Sequence, residues 1–185
     1  MAGWRARVLV HHQVPVLLKR IRPLPELMKK LLLILATGFG LGNAPVASGT
    51  FGSLPGLLLI LVLPLCSHVW IQAVYAIVLV AVAIPLCSAA EHHFEKKDDG
   101  RIVADEYLCF PLALVGIPFQ QYWLFVAFAF VVARGFDIVK ITPAREAQSL
   151  QGGLGIVLDD AAANVYALIV NHLAWWLLVA PRLSA

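Results

Sequence analysis

Long runs without charged side chains alternate with short polar segments along this chain. No Asp, Glu, Lys or Arg occurs in residues 31–90, 107–133 or 161–181. A helix needs about 20 apolar residues to cross the hydrocarbon core of a bilayer, so each run is long enough for at least one crossing. This pattern predicts an all-α fold, a polytopic bundle of membrane-spanning helices.

The first run predicts two spans behind a glycine-rich segment. Six glycines and two prolines crowd into residues 38–56, and this density predicts a broken or re-entrant backbone rather than a regular helix. Residues 57–66 and 69–87 are apolar on all sides, as helices embedded in lipid are. They predict two membrane helices joined by a turn at Ser67–His68.

The two later runs predict a hairpin and a final span. Proline and glycine residues interrupt the middle of the second run, which favours a hairpin of a short helix at 105–115 and a longer helix at 120–139. Such a hairpin returns the chain to the side of the membrane that it left. The third run predicts a span at 156–180, with Trp175 and Trp176 in an interfacial aromatic belt.

The N-terminal residues are strongly basic. Residues 1–30 hold seven Lys and Arg against one acid, a bias that predicts a cytoplasmic segment lying at the membrane surface. Residues 31–185 then form a single membrane-embedded domain. Two crossings bring residues 91–106 back to the cytoplasm, and the hairpin keeps residues 134–160 there.

Composition excludes other classes of protein. Hydrophobic residues make up 61% of the chain and charged residues 14%, against about 45–50% and about 25% in soluble domains. A soluble globule, a disordered chain and a disulfide scaffold are therefore excluded. No nucleic-acid partner is expected, and the sequence carries no signal of an oligomeric state.

Acidic residues gather where the polar breaks meet the apolar runs. Ionisable groups at membrane depth cost about 2.5–3.5 kcal/mol each, and they usually mark a functional site or a mutual pairing. Converging carboxylates repel one another unless a cation lies among them, and a hard cation such as Mg²⁺ suits carboxylate oxygens. The candidate ligands are Asp105, Glu106, Asp137, Asp159 and Asp160.

A charged stripe follows one face of the longer hairpin helix. Arg134, Asp137 and Lys140 are spaced i, i+3 and i+6, which places them along one helix face. Two interpretations stay open. The Arg and Lys either neutralise Asp137 structurally, or they bind phosphate oxygens while Asp137 holds a metal.

Glycine-rich segments precede two of the predicted helices. Residues 49–53 offer backbone N–H groups and the hydroxyls of Thr50 and Ser53 at a helix start, which is a ready anion site. Glycines in membrane helices also serve close packing, so both interpretations are kept. A second segment, at residues 152–155, stands just before the last acidic pair and is expected to let that pair approach the other acids.

Four blocks of the sequence resemble the phosphatidylglycerophosphatase A family. Their order and spacing match over residues 36–164. The blocks are Gly38–Gly42 with Gly49–Ser53, Asp98 followed by Ile102–Glu106, Arg134-x-x-Asp137-x-x-Lys140, and Gly152–Asp160.

Members of that family are bacterial inner-membrane enzymes that use Mg²⁺ to remove the terminal phosphate of phosphatidylglycerophosphate, giving phosphatidylglycerol. The resemblance therefore implies a phosphoric monoester hydrolase of phospholipid biosynthesis with a membrane lipid as substrate. It implies that the five carboxylates are both catalytic and metal-binding, with Asp98 as a further candidate ligand. The substrate-binding candidates are Thr50, Ser53, Arg134 and Lys140.

The chain departs from the family pattern at three places. It has Tyr107–Phe110 where the family usually has Gly shortly after its Asp-Glu pair, and Lys140–Pro143 reads Lys-Ile-Thr-Pro instead of Lys-Pro-x-Pro. Ala163-Asn164 replaces the common Ala-Gly after the Asp-Asp pair. The chemically active residues are kept, so activity is expected. The departures affect helix packing and substrate fit.

The residues favour the same reaction class by themselves. Phosphomonoester hydrolysis needs charge neutralisation and positioning, which carboxylates, Mg²⁺, Arg and Lys can supply. Neither a cysteine-phosphatase loop nor an aspartyl-phosphate signature is present. These observations favour direct attack by an activated water, with one acid as general base.

Two other functions stay open. A CDP-alcohol phosphotransferase would need Asp-Gly-x-x-Ala-Arg, which Asp99-Gly100 does not continue. A cation carrier or channel would use the acids for transport, but Arg134 and Lys140 beside Asp137 oppose cation passage.

Overall fold

The computed structural model describes residues 25–139, 142 and 152–183, and every regular element in these ranges is helical. The all-α prediction is confirmed. Most of the predicted basic segment, residues 1–24, lies outside the described residues, as does Lys140. The α-helices are α1 Glu26–Ala36, α2 Ser48–Gly52, α3 Gly56–Leu59, α4 Val69–Phe94, α5 Ala104–Cys109, α6 Trp123–Val139, α7 Gly153–Ala174 and α8 Ala180–Leu183.

Shorter helical turns extend these elements. A 3-10 segment, Ile60–Leu65, continues α3, and another, Phe110–Leu114, continues α5. Two further 3-10 turns are Leu41–Asn43 and Phe119–Gln121. The π-helical turn Trp175–Val179 joins α7 to α8.

Within the described residues, three helical segments are long and apolar enough to cross a membrane. They are Ser48–Leu65, Val69–Phe94 and Gly153–Leu183. The first two confirm the pair of spans expected in the first apolar run, with the turn between them at residues 66–68. The chain is therefore a polytopic helical membrane protein.

The glycine-rich segment bends as predicted. Gly38, Phe39 and Gly40 all have positive φ angles of 56–90°, a region that glycine enters without steric cost. A Cβ added at Gly52 would overlap the side chain of Val103, and one added at Gly42 would overlap the carbonyl of Arg101. These two glycines let the segment pack directly on the loop that leads into α5.

The hairpin of α5 and α6 also forms, with an irregular first arm. Pro111 lacks a backbone N–H donor, so a continued α-helix would lose a hydrogen bond there, and the arm continues as a 3-10 turn. The arm packs between α4 and α7, and Tyr107, Leu108 and Cys109 are buried in it. This arm carries two of the predicted acids into the centre of the bundle.

The last span differs from the prediction in two ways. It begins at Gly153 rather than near residue 156, because a glycine fits there against α4. A Cβ at Gly153 would overlap backbone atoms of Ile84 and Ser88, and Gly153 N–H donates to Ser88 Oγ at 3.0 Å. Trp175 is buried against the rings of Tyr122 and Phe125 rather than exposed on the surface of the bundle, whereas Trp176 is exposed, and the interfacial aromatic belt stays a prediction.

Candidate active site

Carboxylates from three helices line one cavity of about 280 Å³. The first turn of α5, the last turn of α6 and the second turn of α7 supply them, together with the loop before α5. All five predicted carboxylates and the further candidate are brought together. The acidic lining consists of Asp98, Asp105, Glu106, Asp137, Asp159 and Asp160.

Arg134 joins acids from two different helices. Its Nη1 lies 3.0 Å from Glu106 Oε2 on α5 and 2.9 Å from Asp137 Oδ2 on its own helix. All three side chains are largely buried, with exposed fractions of 14–18%. Such charge-assisted contacts in a partly dry environment are stronger than surface ion pairs. The i, i+3 pairing predicted from sequence is present, and Glu106 extends it into a three-residue ion-pair cluster.

Ser53 fixes the same carboxylate from the opposite side. Its Oγ lies 2.7 Å from Glu106 Oε2 and 2.7 Å from the carbonyl oxygen of Gly49. The predicted substrate-binding hydroxyl of Ser53 therefore contacts a site carboxylate. Thr50, by contrast, is exposed and is not among the lining residues, so its role in substrate binding stays a prediction.

Gly49 lies against the ion-pair cluster. A Cβ at this position would overlap the Glu106 carboxylate and the Arg134 guanidinium. The backbone of α2 therefore approaches the charged groups at a distance that only glycine permits. This gives one glycine of the predicted anion segment a specific steric role.

The carboxylates of Asp105 and Asp160 form the buried floor of the cavity. Their exposed fractions are 7% and 4%, and the Asp160 carboxyl lies at hydrogen-bonding range of both Asp105 and Asp137. Asp105 Oδ1 and Asp160 Oδ2 accept no hydrogen bond. Two carboxylates this close repel each other unless a proton or a cation is shared between them.

The oxygen atoms that line the cavity are chemically suited to bind a hard cation such as Mg²⁺. Carboxylate oxygens line the cavity, and Asp105 Oδ1 among them accepts no hydrogen bond. Within the described residues, however, no three His, Cys, Asp or Glu side chains are arranged closely enough to form a complete metal cluster. Mg²⁺ typically uses only one or two protein carboxylates with water and phosphate oxygens, so the arrangement remains suited to it.

A second charge pair stabilises the loop before α5. The Arg101 side chain donates to both oxygens of Asp99 at 2.8 and 3.1 Å and lies over the Phe94 ring at 3.9 Å. These hydrogen bonds hold the pKa of Asp99 at about 2, below its usual value. Asp99 is thereby paired within the loop, and its neighbour Asp98 faces the cavity.

Sequence reasoning missed two polar residues at the site. Ser48 lines the main cavity, and Asn164 lines a smaller pocket beside it. Asn164 follows Asp160 by four residues on α7, so helical periodicity alone places both on one face. The sequence singled out Asn164 only as a departure from the family pattern.

Comparisons with known proteins identify the family to which the sequence is similar. The sequence profile of the family described as phosphatidylglycerophosphatase A matches residues 34–175. Phosphatidylglycerophosphatase A of Haemophilus influenzae is 35% identical over 78% of this chain and 90% of its own length. The Escherichia coli protein of the same name is 34% identical over 71% of this chain and 76% of its own length.

A relative with a different name is similar to this chain to a comparable extent. A Bacteroides thetaiotaomicron protein, provisionally named a phosphatidylinositol-3-phosphatase, is 31% identical over 78% of this chain and 94% of its own length. No solved structure matches the chain. From the matched family profile and these relatives, the chain belongs to the phosphatidylglycerophosphatase A family.

Proposed function

We propose that this phosphatase hydrolyses the terminal phosphate of phosphatidylglycerophosphate in a Mg²⁺-dependent reaction, giving phosphatidylglycerol and inorganic phosphate. The reaction would serve phospholipid biosynthesis at the inner membrane, with the acid-lined cavity on the cytoplasmic side. The observation that carries the proposal is the convergence of six carboxylates and Arg134 in one cavity between apolar helices. Two relatives named for this activity support the choice of substrate.

Charge balance supports the need for a cation. A phosphate monoester carries about −1.5 to −2 charges at neutral pH, so an acidic cavity would repel it. Arg134 is the one Lys or Arg among the described lining residues, and it already contacts two carboxylates. A divalent cation would offset the remaining negative charge and supply charge neutralisation to the phosphoryl oxygens.

Asp105 is the first candidate to hold Mg²⁺, because its buried Oδ1 has no hydrogen-bond partner, and Asp160 lies at hydrogen-bonding range of it in the same cavity. Asp98, Asp137 and Asp159 line the same cavity and complete the oxygen donors. Glu106 differs from them, since Ser53 and Arg134 already occupy its carboxylate. Its contribution is to orient Arg134 as well as to add negative charge.

The reaction itself needs one water and one general base. The water oxygen forms a bond to phosphorus while the bond between phosphorus and the glycerol oxygen breaks. A carboxylate of the cavity accepts one proton from the water and returns it to the departing glycerol oxygen, while the other water proton stays on the released phosphate. Arg134 exchanges a carboxylate contact for a phosphoryl oxygen as charge develops there.

Phosphate release by the purified full chain in detergent micelles tests this function. Phosphatidylglycerophosphate, phosphatidylinositol 3-phosphate and phosphatidic acid are compared with Mg²⁺ and with EDTA, and Asp160→Asn serves as the inactive control. We expect release from phosphatidylglycerophosphate to be fastest and to stop with EDTA. Phosphate release without Mg²⁺ would overturn the metal requirement. Faster release from another lipid would overturn the proposed substrate.

The same preparation tests the alternatives. A phosphotransferase would form CMP from CDP-diacylglycerol when an alcohol acceptor is present. A cation carrier would instead move Mg²⁺ across vesicles without releasing phosphate. Either result without phosphatase activity would replace the proposal.

A further inference from the structure

A small pocket lies beside the acid-lined cavity. Its volume is about 10 Å³, roughly the space that a single water molecule needs. Arg134 on α6 and Asp160 and Asn164 on α7 are among its lining residues. The pocket therefore borders both the ion-pair cluster and the buried acids.

Each of these three residues carries a buried polar atom with no hydrogen-bond partner. The atoms are Arg134 Nε, Asp160 Oδ2 and Asn164 Oδ1. Asn164 is only 5% exposed, and its Nδ2 donates to the backbone carbonyl of Asp160 at 2.9 Å. That bond leaves Oδ1 as the group that still needs a partner. Buried polar atoms in folded proteins nearly always have one.

We infer that this pocket binds one water molecule, held by Arg134, Asp160 and Asn164. The three atoms comprise one donor and two acceptors, and a water molecule complements this set by accepting one hydrogen bond and donating two. Buried waters make about three hydrogen bonds. A metal cation does not fit, because the Arg134 N–H would face it, and a phosphate group is too large for the volume.

Asn164 is thereby a positioning residue for Arg134. The water connects its amide oxygen to the guanidinium, which restricts the orientation of the group that contacts Glu106 and Asp137. The consequence for catalysis rests on the proposed function, in which Arg134 contacts the phosphoryl group. The water site itself does not depend on that function.

Two substitutions separate this role from simple packing. Asn164→Val and Asn164→Thr have nearly the same side-chain shape, and only threonine keeps an oxygen that can accept from the water while its hydroxyl donates to the Asp160 carbonyl. A packing role predicts equal activity for the two variants, because they fill nearly the same space. The water site predicts that the Thr variant is the more active. We expect Asn164→Val to lose about 5-fold to 150-fold in kcat/KM and Asn164→Thr to lose less.

Asn171→Val is the matched control. Asn171 is a fully buried asparagine on the same helix, and its Nδ2 donates to the Ala113 carbonyl, away from the cavity. We expect this change to lower the melting temperature in detergent while kcat/KM per folded molecule stays close to wild type. Activity of Asn164→Val equal to or above that of Asn164→Thr would overturn the positioning role.

A crystal structure of the full chain tests the water directly. The expected density is one water within about 3.2 Å of all three atoms, and in Asn164→Val crystals no water bridges residue 164 to Arg134. Direct pairing of Arg134 with Asn164, or a dry pocket, would overturn the inference. An inactive wild-type protein would refute the proposed function instead, and the crystal structure would still decide the water site.

Discussion

Gly49→Ala offers the sharpest test of the site geometry. The added Cβ would overlap the Glu106 carboxylate and the Arg134 guanidinium. Gly49 lies within α2, where alanine would by itself favour the helix by about 1 kcal/mol. Any loss of folding stability must therefore come from the overlap, and overpacking of this kind typically costs about 1–3 kcal/mol.

Activity should respond more strongly than stability. Relief of the overlap requires the ion-pair cluster to move, and a misplacement of about 1 Å at a catalytic group costs up to about 100-fold in rate. We expect Gly49→Ala to lower kcat/KM for phosphate release by about 10-fold to 100-fold. The melting temperature in detergent should fall by only a few degrees.

Gly135→Ala is the matched control for this experiment. Gly135 is exposed, directly follows Arg134 on α6, and a Cβ there would meet nothing within 4 Å. It should raise the melting temperature slightly, by the same helix-propensity gain, and leave kcat/KM unchanged. If Gly49→Ala retains wild-type kcat/KM, the close approach of α2 to the ion-pair cluster does not shape the active site and the reasoning fails.

Three further predictions concern the metal, the phosphate and the topology. Asp160→Asn should nearly abolish turnover while the protein still inserts into membranes, because it removes a buried oxygen from the proposed Mg²⁺ site; wild-type phosphate release would dismiss that role. Lys140→Met should fold but lose roughly 30-fold to 1,000-fold in rate, and adding Asp137→Asn should slow it further, whereas rescue in the double variant would show a structural pair. Cysteines placed at Lys97 and Gln148 should both resist an impermeant thiol reagent in intact cells, and labelling at only one of them would exclude a shared cytoplasmic side.

The sequence predicted the helical architecture well because its signals were local. Charge-free runs define the spans, and the proline and glycine breaks define the hairpin, so both follow from the pattern alone. The burial of Trp175 and the first residue of α7 could not be predicted from the pattern. Both depend on partners distant in sequence, the rings of Tyr122 and Phe125 and the backbone of α4 at Ser88.

Some residues of the candidate site could likewise be predicted from the sequence, and others could not. The acids and Arg134 could be chosen from residue type and spacing, and the structure places them in one cavity. The steric role of Gly49 and any role of Asn164 could not be assigned, because a close approach and an unpartnered amide oxygen exist only once helices are packed. Periodicity shows which residues share a helix face, but not which face of another helix meets it.

Structural pairing and phosphate binding by the charged stripe are compatible. Arg134 contacts Asp137 on its own helix and Glu106 on α5, so it neutralises acids and also joins two helices. A guanidinium has five N–H donors, and the water site uses only Nε, so Arg134 can keep its link to α5 while it exchanges another contact for a phosphoryl oxygen. The same ion-pair cluster can therefore hold the helices together before substrate binds and stabilise negative charge during hydrolysis.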